Sequence, residues 1–289
     1  MKTIGFIGTG VMGRSMAGHV LRAGHPLVVY TRTPSKAEPL LSAGAVWADT
    51  PAALAVRSDV IITMVGYPED VRELYLGADG LLAHARLGSY LIDMTTSDPR
   101  LAVEMYEAGT ARGLHVLDAP VSGGDVGARE ARLTIMVGGD PDAFETVVPM
   151  LRIMGKNIML QGGAGSGQHT KMVNQIAIAA GMVGLCEAIA YVRRAGLDPA
   201  KVVDCIGGGA AGSWSLSHYG PRILNGDFQP GFYVKHFIKD MRIALASARA
   251  MDLDTPGLAL AERLYAQLAA EGGGDLGTQA LYNIIDRSA

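Results

Sequence analysis

Several things are scarce in this sequence, and each scarcity excludes a class of protein. Two cysteines in 289 residues, Cys186 and Cys205, are too few for a disulfide framework and too isolated for a metal site, so no metal is expected. Charge of one sign is not in excess: 25 Lys and Arg against 28 Asp and Glu leave a net charge of −3. Without a basic field, nucleic acid is not an expected partner. Long hydrophobic runs are almost missing. The apolar part of "MKTIGFIG" is far shorter than a signal peptide or membrane span requires. "AIAAGMVGLCEAIAYV" is longer, but Glu187 interrupts it and Lys171 and Asn174 sit just before it. A buried helix suits it better than a bilayer, and no membrane partner is expected. There is no internal repeat and no low-complexity tail. With 49% hydrophobic and 18% charged residues, the chain reads as a soluble protein with a large core, expected in the cytoplasm.

Short β-rich runs occur at "TIGFIG", "LVVY", "VIITMV", "YLIDMT", "HVLDAP", "LTIMVG" and "NIML", with helical patterns between most of them. Such alternation of near-continuously apolar strands with helices predicts an α/β domain: a doubly wound parallel sheet of Rossmann type, with helices on both faces. After Leu160 the pattern changes. "QGGAGSGQH" is glycine-rich, and no convincing strand follows it. Helical periodicity runs from about Gln168 to Arg194, a length of about 40 Å at the usual rise per residue. A helix that long suits a spine joining domains or subunits. The boundary is placed in the glycine-rich turn, with residues 1–162 binding a dinucleotide and residues 163–289 forming an all-helical substrate and oligomerisation domain.

The first strand runs into "GTGVMG", in which Gly8, Gly10 and Gly13 have the spacing of a dinucleotide fingerprint. With 38 glycines in the chain, the spacing means little by itself; its place between an apolar strand and an amphipathic helix decides. Gly8 permits the tight turn, Gly10 lets a pyrophosphate approach the backbone, and Gly13 lets helix and strand pack closely. Val11 and Met12 open the helix, whose free N–H groups attract phosphate. The second strand then indicates which cofactor. NAD enzymes place an acidic residue at its end for the ribose 2′-hydroxyl. Here "LVVY" leads to "TRTPSK", with no carboxylate before Glu38. Arg32 and Thr33 are placed to hold a 2′-phosphate, with Ser35 and Lys36 adding hydrogen bonds. NADP is therefore expected over NAD, which stays possible; Arg32 and Lys36 could instead merely solvate a loop.

Ligands of such sheets lie beyond the carboxyl ends of the strands. Three later segments fall there. In "MVGYPEDV", Met64 and Val65 are candidates to line the adenosine or the nicotinamide ribose. In "DMTTSDP", Thr95 or Thr96 is a candidate cofactor contact, while Ser97 and Asp98 suit a helix cap. In "DAPVSGGDVGARE", Ser122, Gly123 and Gly124 offer a hydroxyl and two backbone N–H groups, an anion nest for a substrate carboxylate or simply a turn. The long helix opens with "GQHTKMVNQ", in which Lys171, Asn174 and Gln175 share a face. Most helix lysines are solvated, but one partly desolvated in a cleft can transfer protons.

Together these pieces are recognisable. On "GFIGTGVMG", "DAPVSGGDVGA", "GAGSGQHTKMVNQ" and "KHFIKD", in order and over essentially the whole chain, the sequence resembles the β-hydroxyacid dehydrogenase family. That family includes 3-hydroxyisobutyrate dehydrogenase, tartronate semialdehyde reductase and the glyoxylate and succinic semialdehyde reductases. The resemblance implies an NAD(P)-dependent oxidoreductase acting on CH–OH donors, in which a short 3-hydroxy acid and its semialdehyde interconvert. Lys171 resembles the catalytic acid/base; Ser122, Gly123 and Gly124 resemble the turn that binds the substrate carboxylate. Asn174 and Gln175 resemble the substrate-orienting amides, although the family often has a second Asn where Gln175 stands. Thr96 and Lys239 resemble cofactor contacts; on composition alone, Lys239 and Asp240 would be a charged helix face. A homodimer or homotetramer built through the helical domain is implied as well. Where the family commonly continues with Gly-Thr-Leu, this chain has Ala131-Arg132-Leu133. Trp214 and Tyr219 could wall the pocket or pack in the core. The alternatives are an imine reductase, which usually carries another residue at the lysine position, and a non-catalytic NADP-binding module of the same architecture.

Overall fold

The computed structural model describes residues 2–287 and divides into two compact units, Met1–Lys171 and Met172–Ala289. The first unit holds a sheet of nine strands: β1 (Ile4–Ile7), β2 (Leu27–Tyr30), β3 (Val46–Trp47), β4 (Val60–Thr63), β5 (Tyr90–Asp93), β6 (His115–Asp118), β7 (Val121–Ser122), β8 (Leu133–Gly138) and β9 (Gly155–Gly162). Their order is β3-β2-β1-β4-β5-β6-β8-β7, with β9 also paired to β8. From β3 to β6 every pair is parallel, with Ile4 beside both Leu27 and Val60, and Asp93 beside Asp118.

The wholly parallel sheet expected from the sequence needs correcting at this point. β8 runs antiparallel to β6 and to β7. The chain leaves β6 at Asp118 and reaches β8 at Leu133 through the two-residue β7 and the six-residue helix Gly124–Arg129. Although long enough for a crossover, this stretch instead places β7 antiparallel beside β8, so the chain turns back along the sheet edge. After β8 the helix Pro141–Leu151 supplies a crossover, and β9 pairs parallel to β8.

Alternation along the strands gives the sheet two buried faces. Ile4, Phe6, Val60, Ile62 and Ile92 share one core with Met16, Val20, Val147 and Leu151 from the helices Val11–Arg22 and Pro141–Leu151. Ile7, Val28, Ile61, Leu91 and Val116 share the other with Val71, Tyr75, Leu101 and Met105 from Pro68–Leu76 and Pro99–Thr110. Each such aliphatic side chain contributes about 1.5–3 kcal/mol when fully buried. The helices start where the sequence signals it: Asp98 and Asp140 each accept a backbone N–H of the first turn, with proline next.

The second unit is helical. It contains most of the long helix Ser166–Arg194, then Pro199–Gly207, Trp214–Leu224, Val234–Arg249 and Pro256–Ala270, with short helical turns after them. Among its described residues the only β pairing is an isolated bridge between Tyr233 and Gly277. By length and composition alone the long helix could cross a membrane, but half of its most apolar 18-residue window is buried in protein. Met182, Cys186 and Ile189 of that helix pack with Phe237, Met241 and Tyr265. Tyr219 belongs to this core, edge-on to Trp214 at 5.3 Å. Trp214 itself is 56% exposed and stacks on His218. Both cysteines are free; burial pushes the Cys186 thiol up to about 12, which makes it inert. Among the described residues, no three His, Cys, Asp or Glu side chains group to hold a metal.

Candidate cofactor and proton-transfer site

The turn after β1 tests the glycine fingerprint position by position. Gly8 has φ +95°, and a Cβ there would lie 2.2 Å from the Met64 carbonyl oxygen. A Cβ on Gly13 would meet the Gly8 carbonyl oxygen at 1.9 Å. Both glycines are thus demanded by the fold, one by conformation and one by close packing. Gly10 differs: its φ is −68° and no atom lies within 4 Å of the Cβ position. The fold does not need glycine there, and the open space beside the backbone suits the pyrophosphate of a dinucleotide. Val11 and Met12 start the helix Val11–Arg22, which has no side-chain cap and no acidic residue in its first turn. Its N–H groups and dipole therefore face an approaching anion uncompensated. Buried beside them, the Thr9 hydroxyl has no hydrogen-bond partner among the described residues. These residues fit a bound NAD(P).

The other strand ends surround this turn. The Gly8 N–H donates to the Tyr30 carbonyl, and the Met64 N–H to the Ile7 carbonyl, which carries the ladder past the ends of β1 and β4. Beyond β2, Arg32 and Thr33 are exposed. The Arg32 guanidinium donates to both carboxylate oxygens of Asp70, at 2.7 and 3.2 Å. Asp70 went unnoticed in the sequence because it lies 38 residues away in the first turn of Pro68–Leu76. After β4, the Val65 N–H donates to the Thr95 hydroxyl at 3.0 Å. Thr95 is buried and Thr96 half-buried, so of the two candidates after β5, Thr95 holds the loop together and Thr96 stands at its surface.

Beneath that loop lies Asp93, fully buried. One of its oxygens accepts from the Thr63 hydroxyl and the Thr95 N–H. The other has no partner among the described residues. Burial pushes this carboxyl up to about 6, with the neighbouring Asp118 adding to the rise.

At the end of β6, Asp118 does the work of a helix cap from a distant segment. Its carboxylate accepts from the N–H of Gly165 and of Gln168, each at 2.8 Å. Burial raises its pKa, opposed by these backbone donors. The glycines of "GGAGSG" permit the approach: a Cβ on Gly167 would lie 2.4 Å from the Met136 carbonyl oxygen. The first turn of the long helix is thereby tied to the sheet, and the first compact unit runs on to Lys171. Lys171 is 7% exposed, and its ammonium donates to the Val121 carbonyl at 2.9 Å. The next residue is Ser122, followed by Gly123 (φ +129°) and Gly124 (φ +62°). Both φ values lie in the left-handed region that glycine tolerates, so the turn needs glycine at these two positions. The first unit therefore brings Lys171 to the start of the Ser-Gly-Gly turn.

In the second unit, Asn174, Gln175, Asp240 and Lys239 form one polar chain. Asn174 Nδ2 donates to Gln175 Oε1 at 2.7 Å, and Gln175 Nε2 donates to Asp240 Oδ2 at 2.6 Å. Lys239 pairs with the other Asp240 oxygen at 3.0 Å. With side chains 12% and 3% exposed, Lys239 and Asp240 are not the charged surface that composition suggests. The burial of Asp240 is not legible in the sequence, although the residue lies inside the "KHFIKD" block; a charged pair on a helix reads as solvated until its partner, here Gln175, is known.

Residues 3–163 match the family model described as the NAD binding domain of 6-phosphogluconate dehydrogenase. Residues 165–285 match the one described as NAD-binding of NADP-dependent 3-hydroxyisobutyrate dehydrogenase. An oxidoreductase of Bacillus subtilis is 59% identical, with 98% of each chain covered. The 2-hydroxy-3-oxopropionate reductase of Escherichia coli is 40% identical, covering 99% of this chain and 98% of that one. Among solved structures, a 3-hydroxyisobutyrate dehydrogenase of Mycobacterium tuberculosis described with L-serine superposes with a TM-score of 0.90 at 31% identity, covering 98% of both chains. A protein described in complex with NADP+ does so with a TM-score of 0.90 at 26% identity, over 98% of this chain and all of that one. The glycine turn, the strand-end loops and the buried lysine thus sit in a chain that belongs to the β-hydroxyacid dehydrogenase family of NAD(P)-dependent oxidoreductases.

Proposed function

We propose that this enzyme interconverts a short 3-hydroxy acid of the 3-hydroxyisobutyrate kind and its semialdehyde, with Lys171 as general acid/base and NADP preferred over NAD. The observation that carries the reading is the buried Lys171 ammonium, held 2.9 Å from the Val121 carbonyl at the threshold of the Ser122–Gly124 turn. When bound, the nicotinamide supplies or accepts the hydride. Ser122, Gly123 and Gly124 hold the substrate carboxylate through a hydroxyl and backbone N–H groups. Lys171 donates a proton to the oxygen that becomes the hydroxyl, and takes it back in oxidation. Asn174 orients the substrate, with Gln175 and Asp240 fixing its amide, and Lys239 is a cofactor contact. For the NADP preference, the support is the lack of a carboxylate at the end of β2 and the presence of Arg32, together with the NADP+ named for the structural relative. Residues 1–162 are assigned to the cofactor and residues 163–289 to the substrate and to assembly as a homodimer or homotetramer, in the cytoplasm.

Initial rates with methylmalonate, tartronate and succinic semialdehydes and with glyoxylate, each with NADPH and NADH, test this reading. Turnover of methylmalonate or tartronate semialdehyde, favouring NADPH, is expected; turnover confined to succinic semialdehyde or glyoxylate would put the new hydroxyl at carbon 4 or carbon 2 and overturn the 3-hydroxy assignment. Lys171→Ala should lose at least about a hundredfold in kcat, the lower end of what general acid–base catalysis contributes, while its NADPH affinity stays within a few-fold. Near-normal turnover by that variant would remove Lys171 from the mechanism.

A further inference from the structure

Three residues before Lys171 on the long helix stands Gln168, with no exposed surface at all. Its amide is used at both ends. Nε2 donates to the Thr95 carbonyl at 2.7 Å, and Oε1 accepts the Ser97 N–H at 2.9 Å. Because a carbonyl can only accept and an N–H only donate, this pairing fixes which way the amide points. The residue between these two partners is Thr96, the one assigned to the cofactor. At the same time the backbone N–H of Gln168 is held by Asp118, which also caps the helix. Gln168 thus grips both sides of the cofactor-contacting residue with its side chain, while its own backbone is anchored to the end of β6.

Residues three apart on a helix lie on one face, so the position of Gln168 dictates that of Lys171 one turn on. Few side chains offer a donor and an acceptor at this reach; leucine offers neither, and glutamate offers only acceptors when ionised. Both polar ends are engaged by backbone and the side chain is fully buried, so Gln168 does not reach a ligand directly.

We propose that Gln168 is a positioning residue for hydride transfer, locking the Thr95–Ser97 loop that carries the cofactor contact to the helix turn that carries Lys171. This rests on the reading of Lys171 as the acid/base. The lock matters because a misplacement of about 1 Å between reacting groups can cost about a hundredfold in rate.

The test compares wild type, Gln168→Leu and Gln168→Glu. In the cofactor-free protein, hydrogen exchange of the Ser97 amide should accelerate in Q168L and stay slow in Q168E, which keeps the acceptor. With NADPH and the preferred semialdehyde, kcat should fall about tenfold or more in both variants. KM and the NADPH dissociation constant should stay within about threefold, because the groups that bind are untouched. A merely structural residue would lower the folded fraction without this split between kcat and KM. Should Q168L fail to fold, Q168E carries the kinetic test by itself. Unchanged kcat in a folded variant overturns the proposal. So does a loss that resides entirely in NADPH affinity, which would make Gln168 only a part of the cofactor site. If wild type turns over none of the four acids, the reading of the site falls first, and this inference with it; if wild type is active and the variants match it, only the inference falls.

Discussion

At the scale of single residues, the most telling position is one where the chain departs from its family. Ala131 has φ +52°, in the left-handed region where a Cβ costs about 1–2 kcal/mol. It ends the helix Gly124–Arg129, and the Arg132 N–H bonds back to the Gly127 carbonyl at 2.8 Å. This is the helix-stop geometry in which glycine is the usual residue, and the family's common Gly-Thr-Leu would supply it. Ala131→Gly should therefore stabilise the protein. Relief of strain is partly offset by the larger freedom of glycine in the unfolded chain, leaving a net gain of about 0.5–1 kcal/mol. Thermal unfolding should show a rise of about 2 °C. A lower melting temperature would mean that the left-handed backbone carries no strain here. Arg32 makes the complementary point: the sequence places a cation just past β2, yet nothing in the neighbouring sequence reveals that Asp70 engages it.

At the scale of elements, the three glycines of the β1 turn separate folding from binding. Gly13→Ala would drive a methyl into the Gly8 carbonyl, which the packed β1 turn cannot move aside. A loss of about 2 kcal/mol or more in unfolding free energy is expected, within the usual range for overpacking. Gly10→Ala, by contrast, adds its methyl to open space at an ordinary φ, so chemical denaturation should move by less than about 1 kcal/mol. Its NADPH affinity should nonetheless fall about tenfold or more, equivalent to about 1.4 kcal/mol. Equal NADPH affinity in wild type and G10A would show that no phosphate lies against Gly10. The strands of this unit were legible because each is a short apolar run between turn signals. β3 and β7 were not, since two residues carry no periodicity. The reversal of β8 was illegible for a different reason: strand direction depends on whether the connection crosses the sheet, and the stretch 119–132 has no composition that says so. Candidate site residues can be named where a motif announces them, as at Gly8, Ser122 and Lys171. Asp93, Asp118 and Gln168 escaped notice because their work is done through backbone groups far away in sequence.

At the scale of the whole molecule, the sheet has concentrated buried carboxylates under its cofactor-facing edge, and that has a consequence for stability. Asp93 and Asp118 are register partners on adjacent strands, both buried and both with raised pKa values. For Asp93 the folded-state value is about 6 against 3.8 for the free side chain. Below the lower value both folded and unfolded chains hold the proton, and the difference contributes nothing. Between the two, the unfolded chain releases its proton while the folded chain keeps it, so stability falls as pH rises. Above the upper value the loss is complete, at up to about 3 kcal/mol for a shift of about two units. Asp93→Asn isolates this contribution. Its side-chain oxygen can still accept from Thr63 and Thr95, and its amide takes the place of the unpartnered oxygen. The unfolding free energy of D93N relative to wild type should therefore increase steadily between pH of about 4 and about 6 and then level off. The exposed ion pairs, such as Arg72–Glu104, remain the same in both proteins and cancel in the comparison. Urea unfolding of the two proteins at several pH values checks it. A difference that does not change across that window would mean that Asp93 ionises in the fold as readily as in the unfolded chain, and that the cofactor-side loop rests on a charged carboxylate after all.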